Sequence, residues 1–163
     1  MLGENKSRRA LIVVNMTDHF AHQNGTRYVR TSKEIIPFVQ GELQYFRDRM
    51  RPVIFCSTTA SGNIIRELSP RRGEICIEKV RPNAFLNTNL GQILLDQKAQ
   101  NLTIVGLQLY SSVLLTAAAA LEQGFSVVVP ETCVCSDHEQ EHAAALRLFN
   151  RWSKEMDMKA DNS

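Results

Sequence analysis

Short aliphatic and β-branched runs alternate with longer amphipathic stretches along almost the whole chain, and this constrains the fold more than any other feature. Ala10–Val14, Val53–Cys56, Leu102–Val105 and Phe125–Val129 are predominantly β-branched or aliphatic runs of four to five residues. Such runs suit strands buried on both faces, which implies a parallel sheet covered by helices. Glu74–Glu78 reads EICIE, apolar and acidic in alternation, and is expected to be an edge or less covered strand. Between the runs, Ser32–Arg49 sets Ile35, Ile36, Val39, Leu43 and Phe46 at helical spacing, and Asn89–Ala99 does the same with Leu90, Ile93 and Leu94. Ser112–Gln123 is rich in Ala and Leu and stops at Gly124, a common C-terminal cap. Ser136–Trp152 opens with Ser136 and Glu139 at capping-box spacing and continues on Ala143, Ala144, Leu146, Leu148 and Phe149. The alternation predicts an α/β fold: one three-layer αβα domain over residues 1–163, its core at about 8–152, with a doubly wound, mainly parallel sheet of five or six strands. The first nine and last ten or so residues are polar and expected to fray.

Charge and hydropathy exclude several classes of partner. Lys+Arg 19 against Asp+Glu 17 leaves a net charge of +2, and the basic residues are scattered along the sequence, so no nucleic-acid partner is expected. The longest apolar run, roughly Val113–Leu121, falls well short of the ~20 residues of a membrane span. Ala10–Val14 is shorter than the ~7–15 residues of a signal-peptide core. A soluble, cytoplasmic protein is therefore expected, with Cys56, Cys76, Cys133 and Cys135 reduced. Cys56 and Cys76 fall within strand-like stretches, where a thiol acts as a small hydrophobe. Cys133 and Cys135 form a lone CxC with no second close pair, which argues against structural zinc.

No cofactor is expected. Neither GxGxxG nor GxxxxGK[ST] occurs, so the two common phosphate cradles are missing. His138-Glu139-Gln140-Glu141-His142 matches HExxH as a string, yet it occupies a helix's first turn with no third ligand at hand. Acidic residues there already answer to the helix dipole. His19 and His22 fall in a loop that nothing else fixes, and no metal site is assigned.

In doubly wound folds ligands sit outside the carboxyl ends of the strands. That rule selects Asn15–Phe20, Ser57–Ala60, Lys79–Phe85 and Gly106–Ser112. Lys79 follows a strand end and is expected to point into the crevice, against the competing reading of a solvated lysine. Ser112 falls at the start of the Ala-rich helix, either as a helix cap or as a hydroxyl beside free backbone N–H groups.

Together these segments resemble the isochorismatase-like cysteine hydrolases, the superfamily that includes nicotinamidases and carbamoyl-amide hydrolases. Leu11–Phe20, LIVVNMTDHF, is similar to the family's LLVIDMQNDF, and Glu78–Leu90 to its EKxxxSAFxxTxL. Gly106–Ala117 follows its GxxTDVCVxxTA, with Val113 and Thr116 in register, and Gly124–Val129 its GYxVxV. The likeness spans about residues 8–152. The family's chemistry uses an aspartate, a lysine and a nucleophilic cysteine, which the resemblance carries onto Asn15, Lys79 and Ser112. Two of the three are changed, and Leu109 and Tyr110 replace the Thr and Asp of TDVC. The metal-binding branch has an aspartate and histidines after the second strand, where this chain reads Ser57–Asn63 with neither type. Only 22 residues separate Cys56 from Lys79, shorter than is usual in the family, so a more open crevice is expected.

The substitutions have chemical consequences. An amide at Asn15 cannot take up a proton at neutral pH, and a serine is a far weaker nucleophile than a thiolate unless a base activates it. Three readings follow. The first is a degenerate member that lacks the family's hydrolysis and binds a small-molecule ligand or partner. The second is a rearranged hydrolase of a small amide, ester or vinyl ether, with Ser112 as nucleophile. Loss of the carboxylate would lower the pKa of Lys79 and make it the base of a Ser–Lys pair. Asp18 would stand in for the missing carboxylate if its loop turns inward. The third is an assembly component, since family members are often dimers or larger, and a homo-oligomer is expected. The resemblance further implies a pocket lined by Phe20, Phe85, Leu107, Gln108 and Tyr110, and a cis Leu107–Gln108 peptide.

Overall fold

A computed structural model describes residues 8–160. Six strands form one sheet: β1 (Arg9–Val14), β2 (Val53–Thr58), β3 (Ile75–Lys79), β4 (Asn101–Leu107), β5 (Ser126–Val128) and β6 (Val134–Cys135). The spatial order is β3-β2-β1-β4-β5, and β6 pairs with the far end of β4. Every pairing is parallel. The helices are α1 (Asp18–Ala21), α2 (Ser32–Asp48), α3 (Leu90–Asp96), α4 (Leu114–Glu122) and α5 (Glu139–Ala160).

The apolar runs are explained by burial on both faces. Ala10, Ile12 and Val14 of β1 pack with Leu90 and Leu94 of α3, Ala117 and Leu121 of α4, and Phe149 of α5. The alternate residues Leu11 and Val13 pack with Ile35, Val39, Leu43 and Phe46 of α2. The period of two along the strand thus divides its side chains between two cores, giving the three-layer αβα arrangement.

Several boundaries differ from the sequence reading. The EICIE strand runs Ile75–Lys79 and lies at the sheet edge, where Cys76 is exposed rather than packed as a small hydrophobe. β6 has only two residues, too few to carry a periodicity, and the reading passed over it. The last helix begins at Glu139, so Ser136 is not its cap; the Ser136 hydroxyl lies instead 3.2 Å from His142 Nδ1. That helix continues through Ala160, beyond the Trp152 at which the sequence pattern stops. Of the ends expected to fray, residues 1–7 and 161–163 lie outside the described residues.

At the crevice end, β4 approaches β1 very closely. A Cβ on Gly106 would lie 2.0 Å from the Val14 carbonyl oxygen, and the residue sits at φ +114°, so only glycine fits. The next peptide, Leu107–Gln108, is cis. The chain then makes a π-helical turn over Leu109–Val113 before α4 begins.

Candidate active site

The loops after β1, β3 and β4 bring Asn15, Lys79 and Ser112 together. Asn15 follows β1 at φ 54°, a left-handed conformation that asparagine tolerates better than most residues. Lys79 ends β3, and Ser112 lies within the π-helical turn. All three are buried, at 3%, 1% and 6% exposure. Ser112 is therefore not a helix N-cap, the other of its two sequence readings. The extra residue of the π-turn sets it before α4 and directs its hydroxyl into a polar network.

The donors and acceptors of that network fix its direction. The Thr58 backbone N–H can only donate, and it donates to Asn15 Oδ1 at 3.0 Å; the Thr58 hydroxyl donates to the same oxygen at 3.1 Å. Asn15 Nδ2 therefore faces the other way and donates to Ser112 Oγ at 3.2 Å. Lys79 Nζ lies 3.2 Å from Thr58 Oγ1, 3.2 Å from Ser112 Oγ and 3.4 Å from the Arg81 carbonyl. Thr58 Oγ1 and the Arg81 carbonyl accept from Nζ. Ser112 Oγ, which already accepts from Asn15, accepts from Nζ through its second lone pair.

Burial draws the Lys79 pKa below its ordinary value, opposed in part by the Cys56 side chain. The Cys56 thiol is itself pushed up to about 12 by burial, so near neutral pH it carries no charge and cannot serve as a counter-ion. No carboxylate among the described residues contacts Nζ. Asp18, the suggested substitute, is exposed, and its side chain lies beside Gly62. None of the four cysteines hydrogen-bonds Lys79.

The expected lining residues are distributed differently. Phe20 and Leu107 are buried in the core against α2. Phe85 stacks on Phe125 at 6.3 Å, against the opposite core. Gln108 and Tyr110 are both engaged by Asp137. Gln108 Nε2 donates to Asp137 Oδ2 at 2.8 Å, the Asp137 N–H donates to Gln108 Oε1 at 2.9 Å, and the Tyr110 hydroxyl donates to Asp137 Oδ1 at 2.7 Å. This clasp ties the π-turn to the segment before α5. Thr58 and Asp137 were not singled out in the sequence. Thr58 falls inside the window after β2 that the switch-point rule selected, whereas Asp137 lies 29 residues from Gln108 with no local signal. Among the described residues no group of three or more His, Cys, Asp or Glu is placed to hold a metal ion, and the HExxH string forms no such group.

An α/β sheet with this crevice agrees with comparisons to known proteins. The family profile described as the isochorismatase domain matches residues 9–156. The chain belongs to the isochorismatase family. Among isochorismatase-family relatives, the uncharacterized protein YaaI of Bacillus subtilis (strain 168) is 22% identical over 162 residues, covering 88% of this chain and 90% of its own. The crystal structure of an isochorismatase-like hydrolase from Alkaliphilus metalliredigens superposes with a TM-score of 0.85 at 20% identity, over 90% of this chain and 92% of the other. The nicotinamidase PncA from Bacillus subtilis superposes at 0.81 with 25% identity, over 87% and 94%. These neighbours confirm the three-layer parallel fold. No helix among the described residues is long and apolar enough to cross a membrane.

Proposed function

We propose that this isochorismatase-family chain has lost the family's cysteine-dependent hydrolysis and retains the crevice as a binding site for a small polar ligand. The observation that carries this reading is the direct contact of an amide, Asn15, with a hydroxyl, Ser112, at the two positions to which the resemblance assigns a carboxylate and a thiol. Neither group titrates near neutral pH, so no thiolate can form there. Two further hydroxyls, Thr17 after β1 and Ser61 after β2, are buried with no protein partner, as is Ser32 at the start of α2. Unsatisfied buried donors of this kind suit a ligand with oxygen or amide groups.

A second reading is favoured by the 3.2 Å contact between Lys79 Nζ and Ser112 Oγ. A neutral Lys79 would reverse this bond, so that Ser112 Oγ–H donates to the amine lone pair as a Ser–Lys hydrolase requires. Ser112 Oγ would attack the carbonyl carbon of a small amide or ester as its proton passes to Nζ. The tetrahedral intermediate would expel the leaving group with that proton, and water would cleave the acyl-serine by the same route.

One experiment separates the two. The protein is incubated with a fluorophosphonate and the adduct located by intact mass and peptide mapping. On the first reading Ser112 stays unlabelled, while small carboxamides raise the melting temperature of wild type and of Ser112→Ala alike. Nicotinamide belongs in that panel because a structural neighbour is a nicotinamidase. Labelling at Ser112 that disappears in Lys79→Ala would overturn the first reading and establish the second.

A further inference from the structure

The end of the sheet opposite the crevice carries a concentration of charge that sequence order conceals. Arg8 and Arg9 enter β1 there, Arg49 and Arg51 join α2 to β2, and Arg71 and Arg72 lead into β3. Two clefts of about 370 and 270 Å³ adjoin at this end, sharing Met50, Arg51, Pro52 and Gln97. With Arg47, seven of the chain's 19 basic residues line them. Glu74 is the one carboxylate in the lining, and Arg47 already grips it through two bonds of 2.7 and 2.8 Å. The other six guanidiniums have no salt-bridge partner among the described residues.

Helix-dipole complementation accounts for Arg47 and Arg49 near the C-terminus of α2, but not for Arg8, Arg9, Arg51, Arg71 and Arg72. Two of the guanidiniums are also held in place. Arg49 lies 3.9 Å over the Tyr45 ring, while Arg51 lies 5.5 Å from it and donates to the Tyr45 hydroxyl at 3.3 Å. Like charges packed at one surface repel one another, and an anion that bridges them removes that cost.

We propose that this trough binds a multiply phosphorylated small anion. The basic residues in its lining are all arginines, whose planar fork grips phosphate oxygens through paired hydrogen bonds. No aromatic side chain lines either cleft, whereas single-stranded nucleic acid is held by stacking platforms. The surface is concave, and Met50 is its one strongly exposed apolar side chain, which does not suit a bilayer. The site lies at the opposite end of the strands from Ser112 and does not depend on the reading of that crevice.

Titration calorimetry of the full chain with inorganic tripolyphosphate and with inositol hexakisphosphate tests the assignment. Saturable binding that weakens with added salt is expected. Arg9→Ala, Arg49→Ala and Arg72→Ala should each weaken it about two- to fivefold, and the triple variant at least about tenfold. Arg147→Ala and Arg151→Ala on α5 should leave it unchanged, with melting curves confirming that each variant is folded. The assignment is overturned if neither phosphate saturates, or if the α5 variants weaken binding equally. It also fails if poly(U) RNA or phosphatidylglycerol vesicles bind more tightly than both phosphates.

Discussion

Lys79 is an amine enclosed by neutral partners, and the rest of the crevice chemistry follows from that. Its pKa in the folded chain lies below the ordinary 10.5, because burial disfavours the cation. Between the folded value and 10.5, the unfolded chain binds a proton that the folded chain does not, so folding stability rises with pH across that window. Lys79→Met removes the effect. The stability of wild type relative to this variant should therefore increase as pH rises toward 10.5, by no more than about 1.4 kcal/mol per unit. Urea melts at several pH values would measure this, and a flat or falling difference would mean that the amine is charged when folded. The cysteines, whose thiols burial pushes up, are common to both chains and cancel in the comparison. Lysine at 79 and serine at 112 were legible in the sequence as a pair at strand ends. Their direct contact was not, nor was the orientation of the Asn15 amide beside them, which Thr58 decides.

The π-turn between β4 and α4 sets the position of Ser112, and it is held from both sides. On one side is the contact of Gly106 with Val14, where a methyl group has no room. Gly106→Ala should cost roughly 2–4 kcal/mol or abolish folding, read as soluble yield and urea midpoint. On the other side is the Asp137 clasp. Burial raises the carboxyl's pKa, but the Gln108 and Tyr110 hydrogen bonds together outweigh it, and the net shift is downward from 3.8. The clasp's contribution is thus present above that pH and is lost as pH falls through the lower folded value. Asp137→Ala should destabilise by about 1–2 kcal/mol at pH 7, with the deficit shrinking in acid. The tyrosine reports the same contact. Burial, reinforced by the bond to Asp137, pushes the Tyr110 hydroxyl up to about 12, so its absorbance titration should move toward 10 in Asp137→Ala. The run of helix formers from Ser112 to Gln123 predicted a regular helix. The π-turn escaped because one inserted residue per turn leaves no compositional trace.

At the scale of the whole molecule, the two proposed sites lie at opposite ends of one parallel sheet, and this polarity comes from topology. Parallel strands place all their carboxyl ends together and all their amino ends together, so the crevice loops gather at one end and the arginine segments at the other. The family resemblance also carries an expectation of self-association. Multi-angle light scattering should give a mass of at least twice 18.4 kDa, and a monomer at micromolar concentration would refute it. The sequence by itself determined the layers. Each buried strand is an apolar run, each helix has one apolar stripe, and their alternation admits little besides a covered parallel sheet. It also named Asn15, Lys79 and Ser112, through ordered motifs that survive substitution. Tertiary structure alone decided which groups touch: Thr58 on Asn15, Asp137 on Gln108 and Tyr110, and arginines from three segments around one trough. Periodicity encodes only which face of an element is buried. A contact between polar groups dozens of residues apart depends on where the closed sheet puts them, and no local pattern records that distance.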